Sequence, residues 1–436
     1  MKAYSAYKPA KIEWVGKIPS HWDLMPIRAI FEERKESNLG PKTDFILSVM
    51  KDVGVIPYEE KGDVGNKKSD DIERYNVVHP GDLVFNKMNV IIGSVGISNY
   101  HGALSPVYII LYPRNPKRNE RRFLGYLFKV KPFQKSLRKI SSGILEIRES
   151  INKNEFKKIY LPLPPFEEQQ HIADFLDQKT AEIDEAIAKK QRLIELLEER
   201  KAILINKEIT NGNHNNDSIE DNRPTPWLFP LPNKWIRKKL KYITYLKGRL
   251  GWQNLRTEEY TDEGPYLVSS EHFKNGVIEW DKCNHVNQLR FEMAPEIILR
   301  EQDVLFMKDG ASMGKLAFVG NLPGDACLNS HLLLMRPLNN LYLPKFLFYV
   351  AGSTVFTAYM RQERKGATFF GFSQKSMGDF PLSFPPISTQ QIIVKYLEKE
   401  LAKINVIFQK IEQEMKLLRI LKTSIISEAV TGKIKI

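Results

Sequence analysis

The 436-residue chain has little of what builds disulfide-bonded, zinc-binding or membrane proteins. Its two cysteines, Cys283 and Cys327, stand outside any CxxC or Cys/His spacing, so we expect two ordinary thiols. It contains no run of about 18 apolar residues, which excludes a membrane-spanning helix. The N-terminal segment has neither an apolar h-region nor a small-residue cleavage site, and we therefore expect a cytoplasmic protein.

Sequence motifs for group transfer are also missing. The segment 163–166, Leu-Pro-Pro-Phe, resembles the Asn/Asp-Pro-Pro-Phe/Tyr signature of amino-methyltransferases, but leucine has no carbonyl to accept a hydrogen bond from the target amino group. We interpret this segment as the start of a helix. The segment 310–316 imitates a phosphate-binding loop, but it has one residue too few between its glycines and no hydroxyl to bind Mg²⁺.

A nuclease centre is not supported either. Asp82 and Asp303 precede Lys87 and Lys308, but the positions two residues before both lysines hold phenylalanine, which cannot bind a metal. We interpret the two aspartates as turn residues that lead into strands. The eight histidines form no HxxxH or HxH pair, and no GxSxG or GxGxxG pattern occurs. We therefore expect a recognition or assembly subunit and not an enzyme, with no catalytic residue, metal site or cofactor of its own.

What the chain does have is positive charge. Lysine and arginine number 65 against 52 aspartates and glutamates, a formal net charge of +13. Residues 1–165 carry 28 basic and 18 acidic groups, so a net +10 lies in this first part of the chain. Such an excess favours a polyanionic partner, either nucleic acid or an anionic membrane surface.

Three patterns occur twice along the chain and indicate a duplicated module. The first, at an offset of 213 residues, pairs Trp14, Pro19 and Trp22 with Trp227, Pro232 and Trp235. The second, at an offset of 221, aligns segment 81–96 with segment 302–318. The third, at the same offset, aligns segments 161–176 and 382–397, which both contain Pro-Pro-x-x-x-Gln-Gln. A period of about 220 residues is far too long for a solenoid, so each copy is a domain followed by a helix.

The segment after each Pro-Pro has helical heptad periodicity. In the second copy the apolar d positions continue from Leu397 to Ile425, whereas Thr180, Lys190 and Lys201 interrupt the first copy. Each helix is predicted to run about 40 residues, or about 60 Å. A pseudo-two-fold axis between the copies would make the helices antiparallel, so that they pack against each other as a coiled coil.

The remaining segments indicate mixed secondary structure. Short β-branched and aromatic runs at 82–87, 107–113, 303–308 and 331–337 predict strands, and helical stretches follow them. The predicted fold class is α+β, with two duplicated domains joined by two long antiparallel coiled-coil helices with pseudo-two-fold symmetry. The predicted boundaries are 1–165 for the first domain, 166–210 for the first helix, 211–226 for a linker, 227–386 for the second domain and 387–436 for the second helix with a C-terminal tail.

These features together resemble one known family. The (Ile/Leu)-Pro-x-x-Trp opening, the Gly-Asp-Leu-Val-Phe-type turn, the Pro-Pro-x-x-x-Gln-Gln segment and the repetition of all three are similar to the specificity subunit of a type I restriction-modification system. The resemblance covers essentially the whole chain. The family's usual Glu-Gln before the helix is Gln-Gln in both copies here.

The resemblance implies a division of labour between subunits. The two domains would be target recognition domains, each reading one half of a bipartite, asymmetric site in double-stranded DNA. The helices would be conserved spacer regions that set the half-site distance and dock two modification (methyltransferase) subunits. S-adenosylmethionine, ATP and Mg²⁺ would belong to these partners and to motor/endonuclease subunits, and this chain would hold no cofactor.

Candidate DNA contacts are polar residues on loops between strands, because such residues hydrogen-bond to base edges while Lys and Arg anchor phosphates. In the first domain the predicted DNA-binding residues are Lys51, Lys67, Lys68, Lys87, Asn89, Ser142 and Arg148. In the second domain they are Ser270, His272, Lys308, Ser312, Arg364, Lys365 and Thr368. Lys87 and Lys308 are equivalent in the repeat and are the first choice among them.

Two other hypotheses remain open at this point. The chain could be a stand-alone DNA-binding protein of regulatory or architectural kind with two sites, or a scaffold whose coiled coil is its function. Co-expression with a neighbouring methyltransferase separates the three hypotheses, because only a specificity subunit is expected to form a stable complex with it.

Overall fold

The structure is a computed structural model that describes residues 2–10, 12–63, 67–69, 71–142, 150–210, 225–248, 259–364 and 371–436. The chain divides into two compact units, Met1–Lys190 together with Glu412–Ile436, and Gln191–Ile411. Both units combine short strands with helices, which confirms the predicted α+β class.

The first unit is built from short strands and five helices among its described residues. Its strands are β1 (Tyr7–Pro9), β2 (Lys17–Pro19), β3 (Asp23–Pro26), β4 (Phe31–Glu33), β5 (Leu47–Met50), β6 (Gly54–Pro57), β7 (Asn76–Val78), β8 (Leu83–Asn86), β9 (Val95–Ile97), β10 (Gly102–Leu104), β11 (Tyr108–Pro113), β12 (Ser141–Ser142), β13 (Ser150–Ile151) and β14 (Tyr160–Leu163). Its helices are α1 (Ile27–Ile30), α2 (Arg121–Phe128), α3 (Lys131–Ser136), α4 (Lys153–Phe156) and α5 (Phe166–Ile209), of which α5 continues into the second unit.

The central sheet of the first unit has the antiparallel order β4-β11-β8-β9. Side chains of β8 alternate between two apolar clusters: Leu83 and Phe85 pack with α2 and α3, whereas Val84 packs with β5 and β10. Because both faces of the sheet are covered, its central strands are continuous apolar runs and do not alternate between apolar and polar residues. This explains why these runs were recognisable in the sequence.

The second unit repeats this construction. Its strands are β15 (Ile236–Lys239), β16 (Thr244–Gly248), β17 (Tyr260–Val268), β18 (Phe273–Lys274), β19 (Val277–Ile278), β20 (Asn284–Val286), β21 (Val304–Met307), β22 (Leu316–Phe318), β23 (Ala326–Leu328), β24 (Leu332–Pro337) and β25 (Pro381–Phe384). Its helices are α6 (Gln288–Glu292), α7 (Pro344–Ala351), α8 (Thr354–Arg364), α9 (Gln374–Asp379) and α10 (Ile387–Val430), of which α10 ends in the first unit. One sheet has the order β16-β24-β21-β22, and a second has the order β20-β17-β23.

The duplication extends to strand register. In the first unit β3 pairs with β14, so that Asp23 lies opposite Leu163. In the second unit β15 pairs with β25, and Ile236 lies opposite Phe384 at the equivalent positions. In each unit the strand after the second tryptophan therefore pairs with the strand before Pro-Pro, which places the start of the long helix beside the start of its own domain. The prediction of two duplicated domains is confirmed.

The long helices pack in antiparallel fashion within the first unit. Asp184 and Lys190 of α5 form ion pairs with Lys422 and Glu414 of α10, so residue numbers rise along one helix as they fall along the other. Ile183 of α5 and Met415 of α10, at predicted d and a positions, are buried. The antiparallel packing predicted for these helices is therefore confirmed in this unit.

One heptad interruption has a local cause. Thr180 of α5 is buried, and its hydroxyl lies 3.2 Å from the Tyr126 hydroxyl of α2. The Tyr126 hydroxyl also donates to Asp177 (2.7 Å). A hydroxyl at position 180 therefore completes a polar contact between α5 and α2. No helix in the described parts of the chain is long and apolar enough to cross a membrane.

Candidate nucleic-acid interface

The two strand-end lysines have the same surroundings in both units. Lys87 directly follows β8, and its carbonyl accepts a hydrogen bond from the Ile151 N–H (3.1 Å). Lys308 directly follows β21, and its carbonyl accepts from the Phe372 N–H (2.6 Å). The two donors, Ile151 and Phe372, are 221 residues apart, and so are the two acceptors, Lys87 and Lys308. Both ends of this contact therefore follow the repeat offset. Within the described residues neither ammonium group forms an ion pair, so both charges are available to a partner.

This contact also relates two predicted loops. Ile151 follows the first loop, around Ser142 and Arg148, and Phe372 follows the second, from Arg364 to Thr368. The hydrogen bonds therefore hold the C-terminal flank of each loop against its strand-end lysine. Arg148, Lys365 and Thr368 lie outside the described residues, as do the side chains of Ser142 and Arg364.

Lys51 and Ser270 each come shortly after a strand of their own unit. Lys51 directly follows β5, and Ile46, just before β5, forms a parallel bridge with Ala103 of β10. Ser270 follows β17, which pairs in parallel with β23.

In the first unit the structure brings Lys51, Lys87 and Asn89 together. Asn89 begins a turn that returns at Ser94, whose N–H donates to the Asn89 carbonyl (3.1 Å). The neighbour of Lys51, Asp52, donates its N–H to the Gly93 carbonyl (3.1 Å). The two loops are therefore joined through their backbones, and they form one surface.

Lys67 and Lys68 are exposed and are attached elsewhere in the first unit. The Lys68 N–H donates to the Tyr58 hydroxyl (2.8 Å), and its ammonium lies 6.0 Å from the centre of the Tyr58 ring. No hydrogen bond within the described residues joins this pair of lysines to the surface formed by Lys51, Lys87 and Asn89.

In the second unit His272 is 3% exposed and caps a short 3-10 helix with Ser269. Its Nδ1 accepts from the Ser269 N–H (3.1 Å), and burial lowers the pKa of the imidazole. The side chain therefore serves the fold and offers no surface for the DNA contact predicted from the sequence. Ser312 lies in the turn between β21 and β22, where its carbonyl accepts from the Lys315 N–H (3.1 Å).

The structure adds one segment that sequence reasoning missed. Residues Asn329 to His331 follow β23 and lie beside Lys308, whose N–H donates to the His331 carbonyl (3.0 Å). The Asn329 N–H donates to the Val268 carbonyl (2.9 Å), which joins this segment to the end of β17. The run Asn-Ser-His after a strand could have been predicted as a DNA contact, because it has the same polar composition as the other predicted DNA-binding loops.

Asp82 and Asp303 are structural residues. Asp82 is 2% exposed and accepts two hydrogen bonds from the Arg34 guanidinium, at 2.6 and 2.9 Å. Asp303 is fully buried and accepts two from Arg336, both at 2.7 Å. Each aspartate also caps the turn before its strand, by accepting from the N–H of the residue three positions earlier. The guanidinium balances the charge of each buried carboxylate, so a bidentate ion pair explains both aspartates without a metal.

The arginines of these two ion pairs come from different strands. Arg34 follows β4 and stacks on Tyr112 of β11, whereas Arg336 belongs to β24 and stacks on Tyr245 of β16. β4 and β11 correspond to β16 and β24 in strand order. In the first unit the arginine follows the outer strand and the tyrosine lies on its neighbour. In the second unit the tyrosine lies on the outer strand and the arginine lies on its neighbour.

The first glutamine of each Gln-Gln fastens the long helix to its domain. The Gln169 Oε1 accepts from the Glu120 N–H (2.8 Å), and its Nε2 donates to the carbonyls of Arg118 (3.0 Å) and Pro164 (2.8 Å). The Gln390 Oε1 accepts from the Leu343 N–H (2.8 Å), and its Nε2 donates to the carbonyls of Leu341 (3.0 Å) and Pro385 (2.7 Å). The repeated motif is thus a joint between α5 and α2, and between α10 and α7.

The other tested motifs also have structural roles. The Leu-Pro-Pro-Phe segment connects β14 to α5, and its Pro164 carbonyl accepts from Gln169. Gly310 and Gly314 have positive φ angles of 77° and 93° and shape the turn between β21 and β22. Among the described residues, no group of three His, Cys, Asp or Glu side chains is placed to hold a metal ion.

Comparisons with known proteins agree with this arrangement. The family model described as "Type I restriction modification DNA specificity domain" matches residues 19–196 and 251–417. The MjaX type I restriction enzyme specificity subunit of Methanocaldococcus jannaschii is 24% identical over 446 residues, which cover 97% of this chain and 96% of that protein. The EcoKI specificity subunit of Escherichia coli K12 is 22% identical over 72% of this chain and 65% of its own length.

A solved structure supports the fold. A chain from a study of complex assembly and conformational transition of the type I R-M system aligns over 96% of this chain and 99% of its own length. The TM-score is 0.65 at 16% sequence identity, so this likeness concerns the fold alone.

Proposed function

The chain belongs to the type I restriction modification DNA specificity family, and on that premise we propose that each of its two domains reads one half of a bipartite, asymmetric DNA site. As a specificity subunit it recognises DNA sequence through two domains of this family. The observation that carries the proposal is a repeated backbone hydrogen bond between a strand-end lysine and a residue that follows a polar segment, Lys87 with Ile151 and Lys308 with Phe372.

The chemistry of these surfaces suits DNA. Lys51 and Asn89 are exposed and lie with the half-buried Lys87 on two joined loops of the first unit, and Lys308 lies beside Asn329 to His331 in the second. Lysine contacts phosphates and guanine edges, and asparagine pairs with adenine. Two surfaces of the same construction but different residues are expected to read two different half-sites.

We further propose that α5 and α10 set the half-site distance and dock two modification subunits. Exposed apolar side chains occur along both helices: Leu193, Leu196, Ile392, Tyr396, Val406, Ile407, Leu417, Ile420 and Leu421. They lie outside the predicted a and d positions, and exposed apolar side chains that recur along a helix indicate a protein partner. In this proposal the modification subunits hold S-adenosylmethionine and transfer methyl groups, and motor/endonuclease subunits use ATP and Mg²⁺.

The test combines co-expression with methylation mapping. The chain is co-expressed with the neighbouring modification subunit, the complex is purified, and single-molecule sequencing maps methylated adenines in host DNA. The expected result is a bipartite motif with two unlike halves. Exchange of residues 1–165 for the equivalent domain of a relative is expected to change one half only. A continuous motif, or a change in both halves, would contradict the two-reader proposal.

A further inference from the structure

The DNA surface of the first unit contains apolar side chains among its polar ones. Val53, Met88 and Ile92 are 64%, 37% and 48% exposed, although they lie on loop tips where polar residues are the rule. Val53 and Met88 lie two and one positions after Lys51 and Lys87, and Ile92 follows Asn89 by three. We call these three side chains the apolar tip.

The backbone holds the apolar tip in a fixed conformation. Val90, the first residue of the 3-10 helix Val90–Ile92, is fully buried and anchors Ile92 to the core. Asp52, beside Val53, has a φ angle of 59°, which is unfavourable for a non-glycine residue. Its N–H donates to the Gly93 carbonyl, and its carboxylate accepts from the Lys131 ammonium (2.5 Å). These contacts fix the position of the tip before any ligand binds.

In the major groove of DNA, one chemical group suits an apolar side chain. The major groove offers hydrogen-bond donors and acceptors at every base pair, and its single apolar feature is the C5-methyl group of thymine. We infer that the apolar tip, Val53, Met88 and Ile92, contacts thymine methyl groups in the half-site that the first unit reads. This inference rests on the proposed function and adds the chemical identity of one contact.

The second unit offers an internal comparison. The residue at Met88's place, 221 positions on, is Asp309, whose carboxylate is hydrogen-bonded to the His331 ring. Met313 stands at the position equivalent to Ile92 and is only partly exposed. The second unit also has an exposed apolar side chain, Val277, but it belongs to the β18–β19 hairpin. The second unit therefore has a polar group where the first has the centre of its apolar tip, and it is not expected to depend on thymine methyl groups there.

The experiment replaces thymine by deoxyuridine, which removes the methyl group and keeps every hydrogen-bonding atom. The probe is a duplex with the mapped motif, and the protein is the complex with its modification subunits. Affinity is measured with thymine or deoxyuridine in the half-site assigned to residues 1–165 by domain exchange. Each contacted methyl group is expected to contribute about fourfold in affinity, from about 0.8 kcal/mol per buried methyl-sized group. The same replacement in the other half-site is expected to change affinity less than twofold.

Variants connect the effect to the apolar tip. Ile92→Ala and Met88→Ala are expected to bind the thymine duplex more weakly and to lose most of the preference for thymine over deoxyuridine. Leu39→Ala is the matched control, because Leu39 is an exposed apolar residue of the same unit (71%) outside the tip. It is expected to keep the full preference.

The outcomes separate the inference from the proposed function. Equal affinity for thymine and deoxyuridine duplexes, with specific binding intact, would overturn the inference alone. A first half-site without any A·T pair would overturn it as well, and so would an unchanged preference in Ile92→Ala and Met88→Ala. Failure of the complex to prefer its motif over random DNA would instead refute the proposed function.

Discussion

The buried glutamine at the start of α10 allows a direct test of how the domain is joined to its helix. Gln390 is fully buried and makes three hydrogen bonds of 2.7 to 3.0 Å to Leu343, Leu341 and Pro385. Leucine has a similar size but makes none of them. At about 1 kcal/mol per net hydrogen bond, Gln390→Leu is expected to lower the free energy of unfolding of the second unit by about 3 kcal/mol.

Hydrogen–deuterium exchange of intact protein measures this effect locally. A loss of about 3 kcal/mol corresponds to exchange about 100-fold faster for amides of α7 and the first turns of α10 that open with the second unit. Slow amides of the first unit's α2 are expected to keep their rates to within a few-fold, because their own joint at Gln169 is intact.

The sequence supplies a matched control in the next residue. Gln391 has the same chemistry but is exposed, so Gln391→Leu is expected to change the free energy of unfolding by less than about 0.5 kcal/mol. Equal exchange rates in the two variants would refute the reasoning, because the three hydrogen bonds would then contribute nothing beyond the change in side-chain type.

The remaining predictions concern the ion pairs and the helices. Arg336→Met leaves the Asp303 carboxylate buried and unpaired, and urea unfolding is expected to show a loss of about 3–5 kcal/mol, much of which the double variant with Asp303→Leu restores. Hydrogen bonds from His79 and Lys42 lower the pKa of Glu36 to about 2, whereas an unfolded glutamate titrates near 4.3. The stability from this carboxylate is therefore present above about pH 4.3 and lost as the pH falls toward 2, so the difference from Glu36→Gln should disappear over that range. Insertion of one heptad into both α5 and α10 adds about 10 Å, which is the length of about three base pairs. Three additional base pairs rotate one half-site by about 100° relative to the other, whereas one heptad rotates a straight helix by only about 20°. Gel-shift assays are expected to show much weaker binding, with residual preference for a longer gap, and unchanged affinity for the original gap would contradict the spacer role.

The sequence predicted the architecture because the repeat and the apolar periodicity are large, regular signals. The heptads of α10 and the apolar runs of β8, β11, β21 and β24 depend on burial along a whole face, and burial is visible in composition. The same offset of 221 also relates the loops around Arg148 and after Arg364, but their residues differ and the relation became clear only from the contacts of Lys87 and Lys308.

Pairwise contacts were beyond sequence reasoning. His272 was predicted to contact DNA, but it forms a capping box with Ser269, three positions earlier, and histidine replaces the Glu or Gln that usually marks this motif in a sequence. The parallel pairing of β17 with β23 joins strands that are far apart in sequence, so the contribution of Asn329 to the candidate surface was missed. The role of Gln169 was not predicted because its partners Arg118 and Glu120 are backbone groups, which any residue provides.

The exchange of arginine and tyrosine between the two units has a consequence for recombination inside the gene. A crossover between the units before β8 or β21 can form two hybrid domains. One contains Arg34, Asp303 and Arg336 and has two cations for one buried carboxylate. The other contains Lys247 at the place of Arg34 and Tyr112 at the place of Arg336, so Asp82 loses its bidentate guanidinium partner and has a lysine in its place. The hybrid that keeps the Arg336–Asp303 pair is therefore expected to be the more stable of the two, although the two copies share their strand order.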